Sequence, residues 1–463
     1  MCTREKKHMS QKKGLNRRAF LKNAGMTALV GAVGTGSSMV TAAPSVAPEP
    51  AGAVFDFDTP YNRIGTDCIK WDRQIERFGK DKIEVGMGIA DMDFKAAPCI
   101  GRALAVRCKH ENWGYLSTPK SYINAIVSWN ERRLGLEVDP DTIVLSDGVH
   151  PGLIAALKTF SPPGSKVLLL TPTYSGFYGD LRASFTLPAD SPMKLVNGRY
   201  SIDFEDLESR ISADTNTLLL CNPQNPTGNC WSKEDLMRLG KLCLERRVVV
   251  LADEIHCDLV MKGRKFTPFA GLPDKDIVNN SLTFKAVSKT FSLAAMKSAY
   301  FFSANPDYLE KVKANHRANT NTLGVVANEA AYNEGETWLD QLLRYIDGNH
   351  DYVESYMRDK MRLVKYTKAQ GTYLAWLDVG EVVEKIGAKE QAAKETKMQD
   401  ALMPAVTPEM IVERWFVENA KVQLNAGSSY GTGGADHMRM NLGTSRKLIA
   451  KACDNMGAAL AKL

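Results

Sequence analysis

Three polar residues in the middle of the chain lie beside apolar runs and carry side chains that could take part in chemistry. Asn225 lies in the loop CNPQNPTG after the run TLLL, Asp253 ends the run VVVLAD, and Lys289 lies in AVSKTF. A carboxylate that follows five apolar residues is costly to bury unless it is paired. A lysine amine can attack a carbonyl group or carry a proton. A lysine considered alone is most simply interpreted as a surface residue. The prediction of an active site therefore depends on the three residues together.

These residues fall at the ends of predicted strands. From about residue 113 to residue 333, short apolar runs alternate with longer amphipathic stretches. Strands are predicted at TIVLSDG, KVLLLTP, NTLLLCNP, RVVVLADE and SLTFKAVSK, and helices at HPGLIAALKTF and SKEDLMRLGKLCLERR. The alternation predicts an α/β fold, in which a largely parallel sheet is covered by helices on both faces. Ligands of such sheets bind at the carboxyl ends of the strands, where this chain has Asp147, Gly148, Tyr174, Asn225, Asp253 and Lys289.

The two ends of the body have a different pattern and predict a second, smaller α+β domain. Residues 51–100 have few continuous apolar runs, whereas residues 335–463 combine helical stretches with TYLAWLDV and HMRMNLG, which suit an antiparallel sheet. We therefore predict a large domain over residues 101–334, and a small domain built from the other two ranges. The charged, alanine-rich stretch 384–400 is interpreted as a solvated helical insertion.

The order Asn, Asp and Lys, at spacings of 28 and 36 positions, resembles the fold-type I pyridoxal-phosphate enzymes of the aspartate aminotransferase superfamily. The resemblance extends over roughly residues 55–463 and implies a mostly parallel, seven-stranded type of sheet. It also implies pyridoxal 5'-phosphate as the cofactor, joined to Lys289 as a Schiff base. Asp253 would face the pyridine nitrogen and keep it protonated, and Asn225 would hydrogen-bond the phenolic oxygen. On this interpretation the prolines beside Asn225 fix the loop before the cofactor arrives.

The resemblance assigns further residues to the cofactor and the substrate. Tyr174 would stack on the cofactor ring, and Arg439 would bind the substrate carboxylate as a bidentate pair, with a structural salt bridge as the alternative. Tyr115 would reach the phosphate of the neighbouring subunit and act in catalysis there, which implies a homodimer. His256 either assists at the phenolic oxygen or simply packs. The remaining assignments are the phosphate and cofactor residues Gly148, Val149, His150, Ser288 and Lys297, and the substrate-side residue Ala90.

One branch of the superfamily is more similar than the others. The stretches NRIGTDCIKWD, IADMDF, ADEIHCDLV, SKTFSLAAM, GTYLAWLD and NAGSSYGTGG look like the cystathionine β-lyase type of carbon–sulfur lyase. Such enzymes act on cystathionine or cysteine S-conjugates and release a thiol, pyruvate and ammonia. An aminotransferase of class I/II is the alternative, although Lys297 stands where aminotransferases usually have an arginine. A non-catalytic binding protein is disfavoured because Lys289 and its partners are present.

The N-terminal region resembles a signal for export. The stretch NRRAFLK contains Arg17 and Arg18 and precedes a mildly apolar run of small residues, as in twin-arginine signals. We predict residues 1–50 as signal and linker, and an exported, periplasmic enzyme, or a cytoplasmic one if the signal is not functional. A disordered basic tail is the alternative. A stable membrane span is not expected in the mature protein, because this run is short and rich in glycine.

Charge and cysteine content exclude two other classes of site. The net charge of +6 comes from the N-terminal 50 residues, since the rest of the chain has 51 basic and 51 acidic residues. A nucleic-acid partner is therefore not expected. The nine cysteines form no CxxC pair and have no spacing suited to a metal. The expected partner is a small amino-acid substrate.

Overall fold

The computed structural model describes residues 52–400 and 403–463, so the predicted signal and linker at residues 1–50 lie outside the described part. The strands are β1 (Val85–Gly86), β2 (Val144–Ser146), β3 (Lys166–Thr171), β4 (Leu187–Pro192), β5 (Lys194–Val196), β6 (Arg199–Ser201), β7 (Thr215–Cys221), β8 (Val249–Asp253), β9 (Ser281–Lys285), β10 (Ala299–Phe302), β11 (Leu374–Asp378), β12 (Val422–Gln423), β13 (Asn425–Ala426) and β14 (His437–Asn441).

The helices include every helical segment that the sequence predicted. They are α1 (Asp72–Phe78), α2 (Pro98–Cys108), α3 (Lys120–Leu134), α4 (Val149–Phe160), α5 (Gly176–Ser184), α6 (Phe204–Ser209), α7 (Lys233–Glu245), α8 (Lys275–Asn279), α9 (Pro306–Asn315), α10 (Thr322–Glu334), α11 (Glu336–Lys360), α12 (Gly380–Lys385), α13 (Ala388–Met398), α14 (Pro408–Ala420) and α15 (Arg446–Leu460). Within the described ranges, no helix is both long enough and apolar enough to cross a bilayer.

The large sheet has seven strands in the order β2-β10-β9-β8-β7-β3-β4. Strand β10 is antiparallel to both of its neighbours, and the other adjacent pairs are parallel. Both faces are buried: in β3, Val167 packs with the α4 side and the next residue, Leu168, packs with the α7 side. This alternation has the period of two that a strand requires. The predicted α/β fold with helices on both faces is confirmed.

A second core is built from both ends of the described chain. Strands β11, β14 and β13 form an antiparallel sheet, and β1 pairs with β12. The core contains Trp71 and Val85 from the N-terminal side together with residues from 353 onwards. Helix α13 buries Ala388 and Ala392 in this core, so the stretch interpreted as a solvated insertion also packs through one face. The domain boundaries at residues 100 and 334 stay predictions.

Candidate active site

The predicted site residues meet in a cleft at the carboxyl ends of β7 and β8. Each of these parallel strands finishes with an apolar run, so the polar residues that follow the run fall at this edge of the sheet. The cleft encloses a cavity of ≈ 200 Å³. Its lining includes Asp147, Gly148, Val149, His150, Tyr174, Cys221, Asn225, Asp253, Ile255, His256, Ser288, Lys289, Ala294 and Lys297. The structure therefore brings together residues that are as far as 150 positions apart in the chain.

The loop after β7 is held by its own amide side chains. The Asn222 Nδ2 group donates to the carbonyl of Thr267 at 3.0 Å. The Gln224 Nε2 group donates to the carbonyls of Leu170 and Pro172 at 2.9 and 3.0 Å, which ties this loop to the neighbouring strand. Sequence reasoning assigned the rigidity of the loop to its prolines and missed Gln224. These contacts fix the backbone that presents Asn225 to the cleft.

Asp253 places a carboxyl group at the bottom of the cleft. The residue is only 4% exposed, and its Oδ1 atom accepts a hydrogen bond from the Ile255 N–H at 3.1 Å. Burial raises the pKa of Asp253 to about 6, while the Ile255 N–H and the nearby His150 act in the opposite direction. A cationic ligand atom beside this carboxyl would favour its charged form. Such an atom is what a protonated pyridine nitrogen supplies.

A histidine–aspartate pair adjoins the cleft and was not predicted as a pair. His150 Nδ1 lies 2.8 Å from both carboxylate oxygens of Asp180, and its Nε2 lies 3.4 Å from the Tyr174 hydroxyl. The hydrogen bond to Asp180 raises the pKa of His150. Sequence reasoning assigned only the backbone of His150 and missed Asp180. An acid one turn after Phe177, on the apolar face of α5, was the signal that could have indicated it.

Lys289 follows β9 and directs its amine into the cleft. Its Nζ donates to the carbonyl of Ala90 at 2.7 Å. Burial of the amine lowers the pKa of Lys289 to about 8, and the positive charge of Arg439 acts in the same direction. The negative charges of Asp91 and Asp253 act in the opposite direction. A substantial share of the amine is therefore neutral near pH 8. This is the state that can act as a nucleophile or a base.

We expect the cofactor-free protein to bind pyridoxal 5'-phosphate covalently at a rate that rises with pH around a midpoint near 8. Only the neutral amine attacks an aldehyde, and a lowered pKa makes it available at lower pH. The measurement is the fraction of cofactor fixed by borohydride against time, at a series of pH values. A midpoint near the ordinary lysine value of 10.5 would contradict the position assigned to Lys289.

Arg439 lies on β14 beside the cleft and is 3% exposed. Its Nη1 donates to Asn225 Oδ1 at 3.1 Å and its Nη2 to the Gly88 carbonyl at 2.7 Å. The guanidinium also lies over the Tyr430 ring, 5.1 Å from its centroid. Its Nε has no hydrogen-bond partner, and no carboxylate among residues 52–400 and 403–463 forms an ion pair with it. A buried guanidinium without a carboxylate partner is suited to binding an anionic ligand, which favours the substrate role over a structural salt bridge.

His256 is buried and faces the same cleft as a neutral ring. Burial, together with the positive charges of Lys289 and Arg439, holds the pKa of His256 well below its usual range. Its Nδ1 atom has no hydrogen-bond partner in the described structure. An unsatisfied buried ring nitrogen suits a ligand group, so the assisting role stays a prediction alongside the packing one.

Another part of the cleft lining is suited to an anion. Gly148 precedes α4, and Val149 is the first residue of this 12-residue helix, so their amides lie at a helix N-terminus that faces the cavity. Ser288 and Lys297 line the same cavity. The predicted phosphate residues are thus neighbours in space, as the phosphate assignment requires.

Two predicted residues stand apart from this cluster. Ala90 reaches the site through its backbone carbonyl, which accepts from Lys289. Tyr115 is 109% exposed and lies outside the cavity lining. The structure does not bring it to the cleft of its own chain, and its role in a neighbouring subunit stays a prediction.

Comparison with known proteins agrees with this geometry. The family model for aminotransferase class I and II matches residues 82–456. The chain belongs to the aminotransferase class I and II family. The cystathionine beta-lyase PatB of Bacillus subtilis is 36% identical over 412 residues, which cover 88% of this chain and 100% of PatB.

Two solved structures are similar over most of the chain. Cystalysin from Treponema denticola, whose structure contains pyridoxal 5'-phosphate, matches with a TM-score of 0.79 and 26% identity, covering 89% of this chain and 100% of cystalysin. The PLP-bound C-S lyase from Staphylococcus hominis matches with a TM-score of 0.76 and 27% identity, covering 88% of this chain and 99% of that lyase. The fold-type I assignment is confirmed.

The cofactor of the aminotransferase class I and II family is pyridoxal 5'-phosphate, and the cleft of this member fits it. A helix N-terminus and Lys297 line the cavity and suit a phosphate, and the buried Asp253 carboxyl lines it and suits a ring nitrogen. Asn225 and the unsatisfied Nδ1 of His256 remain for the phenolic oxygen, and the Lys289 amine for the aldehyde. When bound, the cofactor supplies an electron sink that makes the substrate Cα proton acidic.

Proposed function

We propose that this protein is a pyridoxal-phosphate-dependent carbon–sulfur β-lyase that acts on cystathionine or cysteine S-conjugates. The similarity to PatB, which covers all of PatB and 88% of this chain, carries the proposal. The similarity to cystalysin and to the S. hominis C-S lyase supports it. For cystathionine, the Cβ–S bond breaks and one water is consumed. The products are homocysteine, pyruvate and ammonia, so no oxidant or amino acceptor is needed.

The residues of the cleft have separate tasks in this reaction. The Arg439 guanidinium binds the substrate carboxylate, because it is buried and lacks a carboxylate partner among the described residues. The Lys289 amine takes the Cα proton, since its lowered pKa leaves it partly neutral near pH 8. The Asp253 carboxylate would stabilise the positive charge on the ring nitrogen. Asn225 would hydrogen-bond the ring oxygen, and its Oδ1 atom orients Arg439. Together they fix the substrate so that the bond from Cβ to sulfur can break.

An aminotransferase of class I/II is the second candidate, because the family includes such enzymes and the same residues would remove the Cα proton. The two differ in what happens next. A lyase needs a leaving group on Cβ, whereas an aminotransferase needs an amino acceptor. The test is pyruvate release from cystathionine without any keto acid. A requirement for 2-oxoglutarate, with no thiol formed, would favour the aminotransferase.

We also propose that the enzyme is exported to the periplasm through a twin-arginine signal. Paired arginines ahead of a weakly apolar, small-residue run support this, and this export route carries proteins already folded with their cofactor. Replacing both Arg17 and Arg18 with Lys is expected to leave active enzyme in the cytoplasm. The measurement is activity in the periplasmic and cytoplasmic fractions, with Lys12→Arg and Lys13→Arg as the control. Equal export of the double variant would contradict the signal.

We propose a homodimer in which Tyr115 completes the partner's cleft. The full exposure of Tyr115, beside the half-exposed Trp113, supports a role outside its own chain. A Tyr115→Ala chain and a Lys289→Ala chain should each have low activity alone. Co-expressed, they form mixed dimers in which one cleft has both residues intact, so activity should return. No recovery in a verified mixed dimer would contradict the shared site.

A further inference from the structure

A short backbone segment, residues 88–93, contacts two of the charged groups that the proposed reaction uses. We call it the strap. The carbonyl of Ala90 accepts from Lys289 Nζ at 2.7 Å and from the Tyr373 hydroxyl at 2.8 Å. The carbonyl of Gly88 accepts from Arg439 Nη2 at 2.7 Å. The position of the strap therefore sets where the amine and the guanidinium lie.

The strap is anchored by a buried ionic cluster at its C-terminal end. Asp93 is 0% exposed, and its Oδ2 accepts from Lys70 Nζ, also 0% exposed, at 2.7 Å. Its Oδ1 accepts from the Trp71 indole N–H at 3.1 Å and from Arg63 at 3.2 Å. Lys70 also donates to the Asp91 carbonyl at 3.2 Å. Both oxygens of the carboxylate are thus held from fixed directions.

Further contacts tie the strap to the segments that carry the active-site residues. The Met92 N–H donates to the Oγ of Ser292 at 2.9 Å, and Ser292 lies three residues after Lys289. Asn441 lies two residues after Arg439, and its Nδ2 group donates to the carbonyls of Ile89 and Asp91. The cluster around Asp93 is therefore linked through one hydrogen-bonded segment to the parts of the chain that carry Lys289 and Arg439.

The physical cost of the cluster points to a positional role. Taking a carboxylate and an ammonium out of water is expensive, and apolar residues of similar volume often stabilise a fold as well or better. An apolar pair, however, makes no directional contacts and would not fix the position of the strap backbone relative to the cleft. The directional hydrogen bonds around Asp93 do fix them.

We propose that Asp93, together with Lys70, is a positioning residue for the active site. The pair holds the strap so that the Ala90 carbonyl receives the Lys289 amine when that amine is free, and the Gly88 carbonyl orients Arg439 towards the substrate carboxylate. The inference uses the proposed function only for the role of Arg439 and Lys289 towards an amino-acid substrate. It does not depend on whether that substrate loses a thiol or an amino group.

The test replaces the charged pair by apolar residues, Lys70→Met/Asp93→Leu, in the holoenzyme. We expect L-alanine to bind on the order of 10- to 100-fold more weakly, measured by the change in cofactor absorbance, because the loss of one hydrogen bond to a charged group has an effect of that size. Hydrogen exchange of the amides in residues 88–93 should become faster. The melting temperature should stay close to that of the wild type. Alanine is used because it binds whether the enzyme is a lyase or an aminotransferase.

The control is Arg133→Met/Asp340→Leu, which removes a partly exposed ion pair of equal length, 2.7 Å, far from the strap in sequence. It should leave alanine binding and strap exchange unchanged. Should the first double variant fail to fold, Trp71→Phe removes one hydrogen bond to Asp93 and is expected to weaken alanine binding at least about threefold. Faster exchange of the strap with unchanged alanine binding would overturn the proposal, as would unchanged exchange. Failure of the lyase proposal alone would appear as missing thiol release by the wild type.

Discussion

Lys289→Ala is expected to lower turnover of any amino-acid substrate by roughly 10⁴-fold or more, since the residue is assigned both the covalent attachment of the cofactor and the proton transfer at Cα. The fold should be retained, because the alanine leaves only a smaller side chain in an open cleft. The cofactor should still bind through the phosphate end and Asp253. The measurement is turnover together with the amount of cofactor that borohydride fixes to the protein.

The control for this variant is Lys262→Ala, which removes an exposed lysine outside the cleft. It should retain both the fixed cofactor and the turnover of the wild type. Peptide mapping of the borohydride-treated wild type should find the label on Lys289 alone. Label on any other lysine would contradict the assignment of the site.

Asp253→Asn is expected to bind the cofactor and to lose turnover by at least about 10²-fold, the scale seen when one preorganised electrostatic partner is removed. The amide has the shape of the carboxyl but no charge, so the ring nitrogen loses the anion that favours its protonated state. The carboxyl is buried with the Ile255 N–H as its hydrogen-bond partner, and that contact can be kept by the amide oxygen. The measurement is kcat at saturating cofactor.

Asp214→Asn is the matched control, because Asp214 is exposed and pairs only with surface groups. It should have the turnover of the wild type. Near-normal kcat in Asp253→Asn, with the cofactor shown to be bound, would mean that the ring nitrogen lies elsewhere.

The strands and the residues at their ends could be predicted from the sequence. In a parallel sheet buried on both faces, the strand sequences contain continuous apolar runs. In this chain the strands that end at Cys221 and Asp253 are followed by polar or proline-containing loops. The motif order then placed Lys289 at the same edge. Local pattern was sufficient for the strands and for Asp253, whereas Asn225 and Lys289 lie in the loops after β7 and β9 and were assigned through the resemblance.

The partners of those residues could not be predicted in the same way. The pair His150 and Asp180 joins two helices, and the contact of Lys289 with Ala90 joins segments 199 residues apart. Such contacts depend on how elements that are distant in the chain pack in three dimensions, and they leave no periodic signal along the chain. The helix α13 is a related case, since its charged composition obscured the two alanines that it buries.

The acid–base state of the site also follows from packing. The pKa of Asp253 is raised and that of Lys289 is lowered because both lie where water is scarce, and neighbouring charges from other segments modify each of them. The sequence identifies the groups that titrate. Only the assembled cleft shows that the lysine is partly neutral near pH 8 and that the carboxyl needs a cation beside it.

The most direct test of the account is the product balance from cystathionine in the absence of any keto acid. We expect homocysteine, pyruvate and ammonia in equal amounts, accumulating over many turnovers per subunit. Alanine, which has no leaving group on Cβ, should give at most one slow turnover per subunit under the same conditions. Failure to form homocysteine, with repeated turnover of alanine that requires 2-oxoglutarate, would contradict the carbon–sulfur lyase.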